Sequence, residues 1–288
     1  MSTLPWITTS VNVNMPCLIY GTAWKKADTA DLVEQALLAG FRGIDTACQP
    51  KHYDEALVGV ALQRVIHQGI PRDHLYLQTK FTSLSGQDPA RVPYDKSAPL
   101  HEQVAQSFAR SLHNLQTDYV DGLILHSPFD THAKTLQAWR AMESIQQTGG
   151  ARQLGISNCY ELPVLQALCK EAQVKPAIVQ NRFYKDTGYD VALRHWCTAQ
   201  GIIYQSFWSL TANPHILNSK LLQGLAAQYH KTAAQLFFRY LHQLGIVPLT
   251  GTRSPQHMQD DLGMFDFELA TDDFEKLGVM LKPAQFRM

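Results

Sequence analysis

The chain has 288 residues, with 25 lysines and arginines balanced against 25 aspartates and glutamates, so its formal net charge is zero. No extended run of like charge occurs, which argues against nucleic acid or a membrane as the partner and favours a small molecule. Cys17, Cys48, Cys159, Cys169 and Cys197 form no Cys-x-x-Cys pair, so neither a disulfide framework nor a metal site is expected; residues 1–16 lack the pattern of a secretory leader, and a cytoplasmic location follows.

From Leu18 onward, short apolar runs alternate with longer amphipathic segments. A strand over 18–21 leads to a helix over 29–39, which Gly40 ends. A strand over 43–45 leads to a helix over 55–67, ended by Gly69. The strand over 75–80 is followed by 82–98, rich in Ser, Gly, Pro and Asp, which reads as a surface loop before a helix over 99–115 with Pro99 in its first turn. Strands over 120–125, 153–156, 177–180, 202–205 and 246–249 follow, each leading to a helix: 133–147, 162–172, 191–199 (ended by Gly201), 233–243 and 256–262. Two segments lie outside this count, an extra helix over 219–229 and a C-terminal one over 271–281 opened by Thr271, Asp272 and Asp273. Eight strand–helix units in about the length of such a domain predict a single (β/α)8 TIM barrel over residues 1–288, with extra helices around it.

Such barrels build their sites where strands end and loops begin. Asp45 is the third residue of GIDTA, Tyr53 lies in HYDEALVG, Lys80 is next to last in LYLQTKF and His126 follows VDGLIL. Taken singly, Asp45 also reads as a turn cap, Tyr53 as a packed aromatic, Lys80 as a solvated charge and His126 as a core histidine. Together they suit a proton-transfer site. A phenol is a poor proton donor at neutral pH, an adjacent ammonium lowers its pKa, and a carboxylate keeps that ammonium charged. His126 adds a donor for a carbonyl oxygen. Neither the GxGxxG of a dinucleotide-binding fold nor a P-loop nor an HExxH helix occurs.

GTAW, GIDTA, YDEALVG, LQTKF, LILHSP, GISN, VQNRFY and PLTGTRSPQHMQDDL stand in the order found in aldo-keto reductases, and the chain resembles that superfamily over essentially its whole length. The resemblance implies reduction of aldehydes or ketones with NADPH, with Asp45, Tyr53, Lys80 and His126 as the catalytic residues and Tyr53 as the general acid. It implies that Ser157, Asn158 and Gln180 hold the nicotinamide carboxamide and that Ser206 contacts phosphate. Thr250, Gly251, Thr252 and Arg253 match the loop holding the adenosine 2'-phosphate, for which a planar guanidinium is suited. Thr22, Ala23, Asp45, Gln205, Phe207, Trp208, Leu210, His257 and Asp261 complete the expected cofactor contacts. Trp24, Tyr53 and His126 are the expected substrate contacts. Departures from the family pattern are Gln205 in place of a stacking Tyr, Ser127 in place of a Trp, and His257 and Asp261 in the outer cofactor positions. The small-molecule carbonyl substrate is unnamed by the sequence, a monomer is the expectation, and the alternative reading is a cofactor-binding redox sensor or regulatory subunit with little turnover.

Overall fold

The structure is a computed structural model that describes residues 4–281. It opens with a short antiparallel hairpin, β1 (Trp6–Thr8) and β2 (Asn14–Pro16), whose turn is closed by Thr9 N donating to the Val13 carbonyl, with Asn12 at φ +60. The hairpin is absent from the sequence reading because three-residue strands are too short to show a period.

Eight parallel strands then close into a barrel: β3 (Ile19–Gly21), β4 (Gly43–Asp45), β5 (Tyr76–Phe81), β6 (Val120–Leu125), β7 (Ala151–Ser157), β8 (Ile178–Arg182), β9 (Ile203–Phe207) and β10 (Ile246–Thr250), with β10 paired back to β3. The expected (β/α)8 barrel is therefore present, the strands at 43–45 and 120–125 as expected and the others differing at their ends by one or two residues. Helices Thr29–Ala39, Glu55–His67, Val191–Ala199 and Ala233–Gln243 fall where the pattern puts them. The extra helices occupy Lys220–Gln228 and Thr271–Met280, and one further turn, Pro214–Leu217, carried no expectation. Pro99 stands just ahead of Leu100–Leu115 as its cap residue rather than within its first turn. Gly40 and Gly69 take φ of +125 and +94, conformations that a side chain would strain.

Alternation along each strand sorts residues between two cores. One set packs outward against the helices, with Trp139 fully buried there and its indole N–H donating to the Val174 carbonyl at 2.8 Å. The other fills the barrel: Ile19, Tyr76, Ile124, Ile178, Val247 and Leu249 meet Val13 and Met15 of the hairpin, which therefore floors the barrel. Gly122 and Gly155 make room in this layer. A Cβ on Gly122 would lie 2.7 Å from the Tyr76 hydroxyl, and one on Gly155 only 2.5 Å from Ile124 Cδ1. No helix among the described residues is long and apolar enough to cross a membrane.

Candidate active site

Inward parity places Asp45 at the end of β4 and Lys80 near the end of β5, while His126 follows β6 directly. Tyr53 precedes helix Glu55–His67, whose start is fixed by Asp54 accepting from Leu57 N at 3.0 Å. The four side chains converge at the mouth. Lys80, only 1% exposed, donates from Nζ to both Asp45 oxygens at 2.7 and 2.6 Å and to the Thr46 carbonyl at 2.8 Å. Nζ also lies 5.1 Å from the centre of the Tyr53 ring, and the Tyr53 and His126 rings meet edge to face with centroids 6.1 Å apart. His126 Nδ1 is 2.6 Å from the Thr82 hydroxyl.

The electrostatics differ from the simplest expectation. Burial, reinforced by the charge of Asp45, pushes the Tyr53 phenol above its ordinary range rather than below it. Lys80 spends its charge on Asp45, so in this state it does not acidify the phenol; burial pulls the ammonium down and Asp45 opposes that pull. The His126 imidazole is lowered to about 3 by burial, then by Lys80 and His52, and is neutral near pH 7.

Below this group runs a column of amides that the sequence reading missed apart from Gln180 and Gln205. Gln78 and Gln180 both donate to Asp45 Oδ1, at 2.7 and 2.9 Å, and both donate to Gln205 Oε1 at 2.9 Å. Gln205 returns a bond to Gln78 Oε1 at 3.0 Å and donates to the Met15 sulfur. Tyr76 donates to Gln78, Gln153 to Tyr76, and Thr9 of the hairpin to Gln153. Gln205 is thus enclosed in the barrel. The signal available in sequence was the inward register of Gln78 with Lys80, two residues apart in LQTK.

The other expected contacts surround the mouth. Asn158, at φ +52, donates to the His126 carbonyl at 2.8 Å and to Ser157 Oγ at 3.2 Å. Gln180 Oε1 accepts no hydrogen bond from the described residues, and Ser206 Oγ accepts from Ser209. Thr22 donates its hydroxyl to the Asp45 carbonyl; Ala23 and Leu210 are half-buried, and Phe207 packs on the barrel core. Trp24 is 52% exposed, with its ring 3.9 Å from that of His52, and Trp208 is 45% exposed. Ser127 donates to the carbonyl of His126. Since β10 pairs with β3, the loop Thr250–Arg253 lies beside residues 22–28, where Arg253 is paired with Asp28. Thr252 Oγ1 accepts from Ser254 N, His257 is exposed, and Asp261 accepts from Thr250 at 2.6 Å, with burial and then Asp260 raising its carboxyl to about 7.

Two cations went unnoticed in the sequence. Lys25 is buried beside this loop, donates to the Gly251 carbonyl at 2.8 Å, and is lowered to about 8 by burial and by Arg253. Arg182 closes β8 with its guanidinium on Trp208. The described residues hold no cluster able to bind a metal ion, and the cysteines are unpaired, four of them buried.

Residues 18–185 match the model of the aldo/keto reductase family. Among curated relatives, the Bacillus subtilis glyoxal reductase is 28% identical over 255 residues, 88% of this chain and 84% of the relative. A Schizosaccharomyces pombe NAD/NADP-dependent indole-3-acetaldehyde reductase is 27% identical over 287 residues, covering 93% of this chain and 92% of the relative. An aldo/keto reductase from Brucella melitensis superposes with a TM-score of 0.83 at 26% identity, over 97% of this chain and 100% of that one. A match over more than half of the chain, on a closed eight-stranded barrel of the same shape, identifies this protein as a member of the aldo/keto reductase family.

Proposed function

We propose that the chain reduces aldehyde or ketone carbonyls with NADPH, with Tyr53 as the general acid. The observation that carries this reading is the convergence of the Lys80–Asp45 ion pair, the Tyr53 phenol and a neutral His126 at one end of the barrel.

The residues present fit a phosphorylated dinucleotide. Lys25 and Arg253 put two cations beside the loop at 250–253, and the free Oε1 of Gln180, with Ser157 and Asn158, offers both donors and acceptors to a carboxamide. Bound NADPH supplies the hydride. The protein's part is the proton and the oxygen. Because burial keeps the Tyr53 phenol protonated, its hydroxyl is neutral and ready to donate to the developing alkoxide. As the proton leaves, Lys80 is the cation facing the phenolate, and how far it stabilises that charge depends on how much of its own charge Asp45 takes up. The 2.6 Å contact between the Thr82 hydroxyl and His126 Nδ1 suits the tautomer that carries its proton on Nε2, which can then bond the same carbonyl oxygen. Trp24 forms an outer wall for the substrate. The names of the relatives support the class: one reduces glyoxal and another an aldehyde.

The test is NADPH oxidation, with NADH in parallel, against a panel of aldehydes, diketones and keto esters. Tyr53→Phe is expected to lower kcat by roughly 10²–10⁴ while NADPH affinity stays within about twofold. Wild-type turnover by Tyr53→Phe refutes the general-acid role; tight cofactor binding without turnover by the unaltered protein favours the sensor reading.

A further inference from the structure

Arg182 is the last residue of β8, two positions beyond Gln180, so it shares the inward parity of Gln180 and stands one layer higher, at the mouth. Its surroundings are those of a prepared guanidinium. Cζ lies 4.2 Å from the centre of the Trp208 ring and 5.2 Å from that of Tyr184, so the planar head rests on aromatic faces with its donor edge free. Its Nε is buried and makes no hydrogen bond, and among the described residues the guanidinium has no carboxylate partner. Other arginines here are satisfied: Arg72 and Arg152 pair with Asp121, Arg239 with Glu268, and Arg194 Nε donates to the Tyr189 carbonyl. The Trp208 platform is itself held at φ +55, a costly conformation for a bulky residue, and is 45% exposed.

Hydrogen bonds connect Arg182 to the carbonyl-binding side of the site. Its backbone N–H donates to the Tyr160 hydroxyl at 3.3 Å, Tyr160 donates to Asn158 Oδ1 at 3.1 Å, and Asn158 donates to the carbonyl of His126. The cation pair at Lys25 and Arg253 belongs to the ends of β3 and β10, three and two strands away around the barrel. A planar cation on an aromatic shelf at the mouth, unpaired and linked through Tyr160 and Asn158 to His126, matches a carboxylate by two parallel N–H bonds. We propose that Arg182 is a specificity residue that binds the carboxylate of an acidic carbonyl substrate, such as a keto acid or an aldehyde bearing a carboxylate. This rests on the carbonyl-reductase reading above.

The experiment compares 4-carboxybenzaldehyde with 4-methylbenzaldehyde on the full chain, for the unaltered protein, Arg182→Met and Arg182→Lys, with NADPH affinity measured for each. The expected result is that Arg182→Met lowers the kcat/KM ratio of the acidic to the neutral substrate at least tenfold, chiefly through KM, and that Arg182→Lys restores part of it. Equal losses on both substrates, or a loss confined to NADPH affinity, overturn the proposal; the latter assigns the guanidinium to the cofactor's phosphates. Binding of benzoate against benzamide to the NADP⁺-saturated protein, read by tryptophan fluorescence, asks the same question without turnover. Tighter benzoate binding that Arg182→Met abolishes upholds the carboxylate site even if no aldehyde is reduced, and equal binding of the two overturns it.

Discussion

Replacing Lys80 with methionine tests the buried centre of the site through stability alone. Nζ makes three hydrogen bonds, two to Asp45 and one to the Thr46 carbonyl, and both charged side chains are almost fully enclosed. After the change Asp45 Oδ1 keeps Gln78 and Gln180 as donors, but Oδ2 loses its hydrogen bond and the carboxylate its counter-charge. Removing one partner of a buried pair costs roughly 3–5 kcal/mol, because the other charge stays buried. Adding Asp45→Asn removes that charge while keeping an oxygen for the two glutamines. The double variant should therefore recover about 2 kcal/mol relative to Lys80→Met, a coupling within the range for residues sharing one network. Urea unfolding of the unaltered chain, both single variants and the double variant, followed by tryptophan fluorescence and circular dichroism with equal slopes required across the series, gives the four free energies. A loss below about 1 kcal/mol for Lys80→Met, or a further loss on adding Asp45→Asn, refutes the reasoning.

Arg253→Ala should weaken NADPH roughly tenfold or more and NADH much less, as measured by fluorescence titration; equal weakening makes the residue structural. His126, held at about 3, should leave the kcat/KM profile without an ionisation near pH 6.5, and its depressed pKa means that its contribution to stability is lost as pH falls below about 6.5; an acid limb near 6.5 that disappears in His126→Gln contradicts this. Asp261 has the opposite sign. Its carboxyl is raised to about 7 in the folded chain, so the fold binds the extra proton and loses stability as pH climbs from about 4 to 7. Asp261→Asn, which retains an acceptor for Thr250, should be more stable than the unaltered chain by about 2–4 kcal/mol at pH 8 and nearly equal to it at pH 4; an unchanging difference across that range rules the account out.

The barrel was legible because its repeating unit is long and periodic: strands such as 246–249 are continuous apolar runs, and helices such as 55–67 carry one apolar face between a capping Asp54 and a closing glycine. The hairpin at 6–16 was not, since what holds it is tertiary contact with the barrel floor. The positions of Asp45, Tyr53, Lys80 and His126 followed from strand ends, but the electrostatics did not. Whether Lys80 lowers the phenol depends on how fully Asp45 engages it, a matter of tenths of an ångström that no motif carries. Arg182 and Lys25 were passed over for a related reason. A cation in a sequence is a solvated side chain by default, and only the absence of a partner in three dimensions makes it informative.

The pairing of β10 with β3 has a consequence for how the molecule comes into being. Lys25 meets Gly251 across more than two hundred residues, and Tyr20 reaches the Thr252 carbonyl over a similar span. The edge of the mouth that Lys25 and the loop at 250–253 form therefore does not exist until the last barrel strand has docked against the first, the contact with nearly the greatest loop-closure cost in the chain. A nascent or partly unfolded chain can hold every residue of the Asp45, Tyr53, Lys80 and His126 group and still be unable to grip a dinucleotide. Ligand added during refolding would accordingly act late, trapping the ring once closed rather than guiding its assembly.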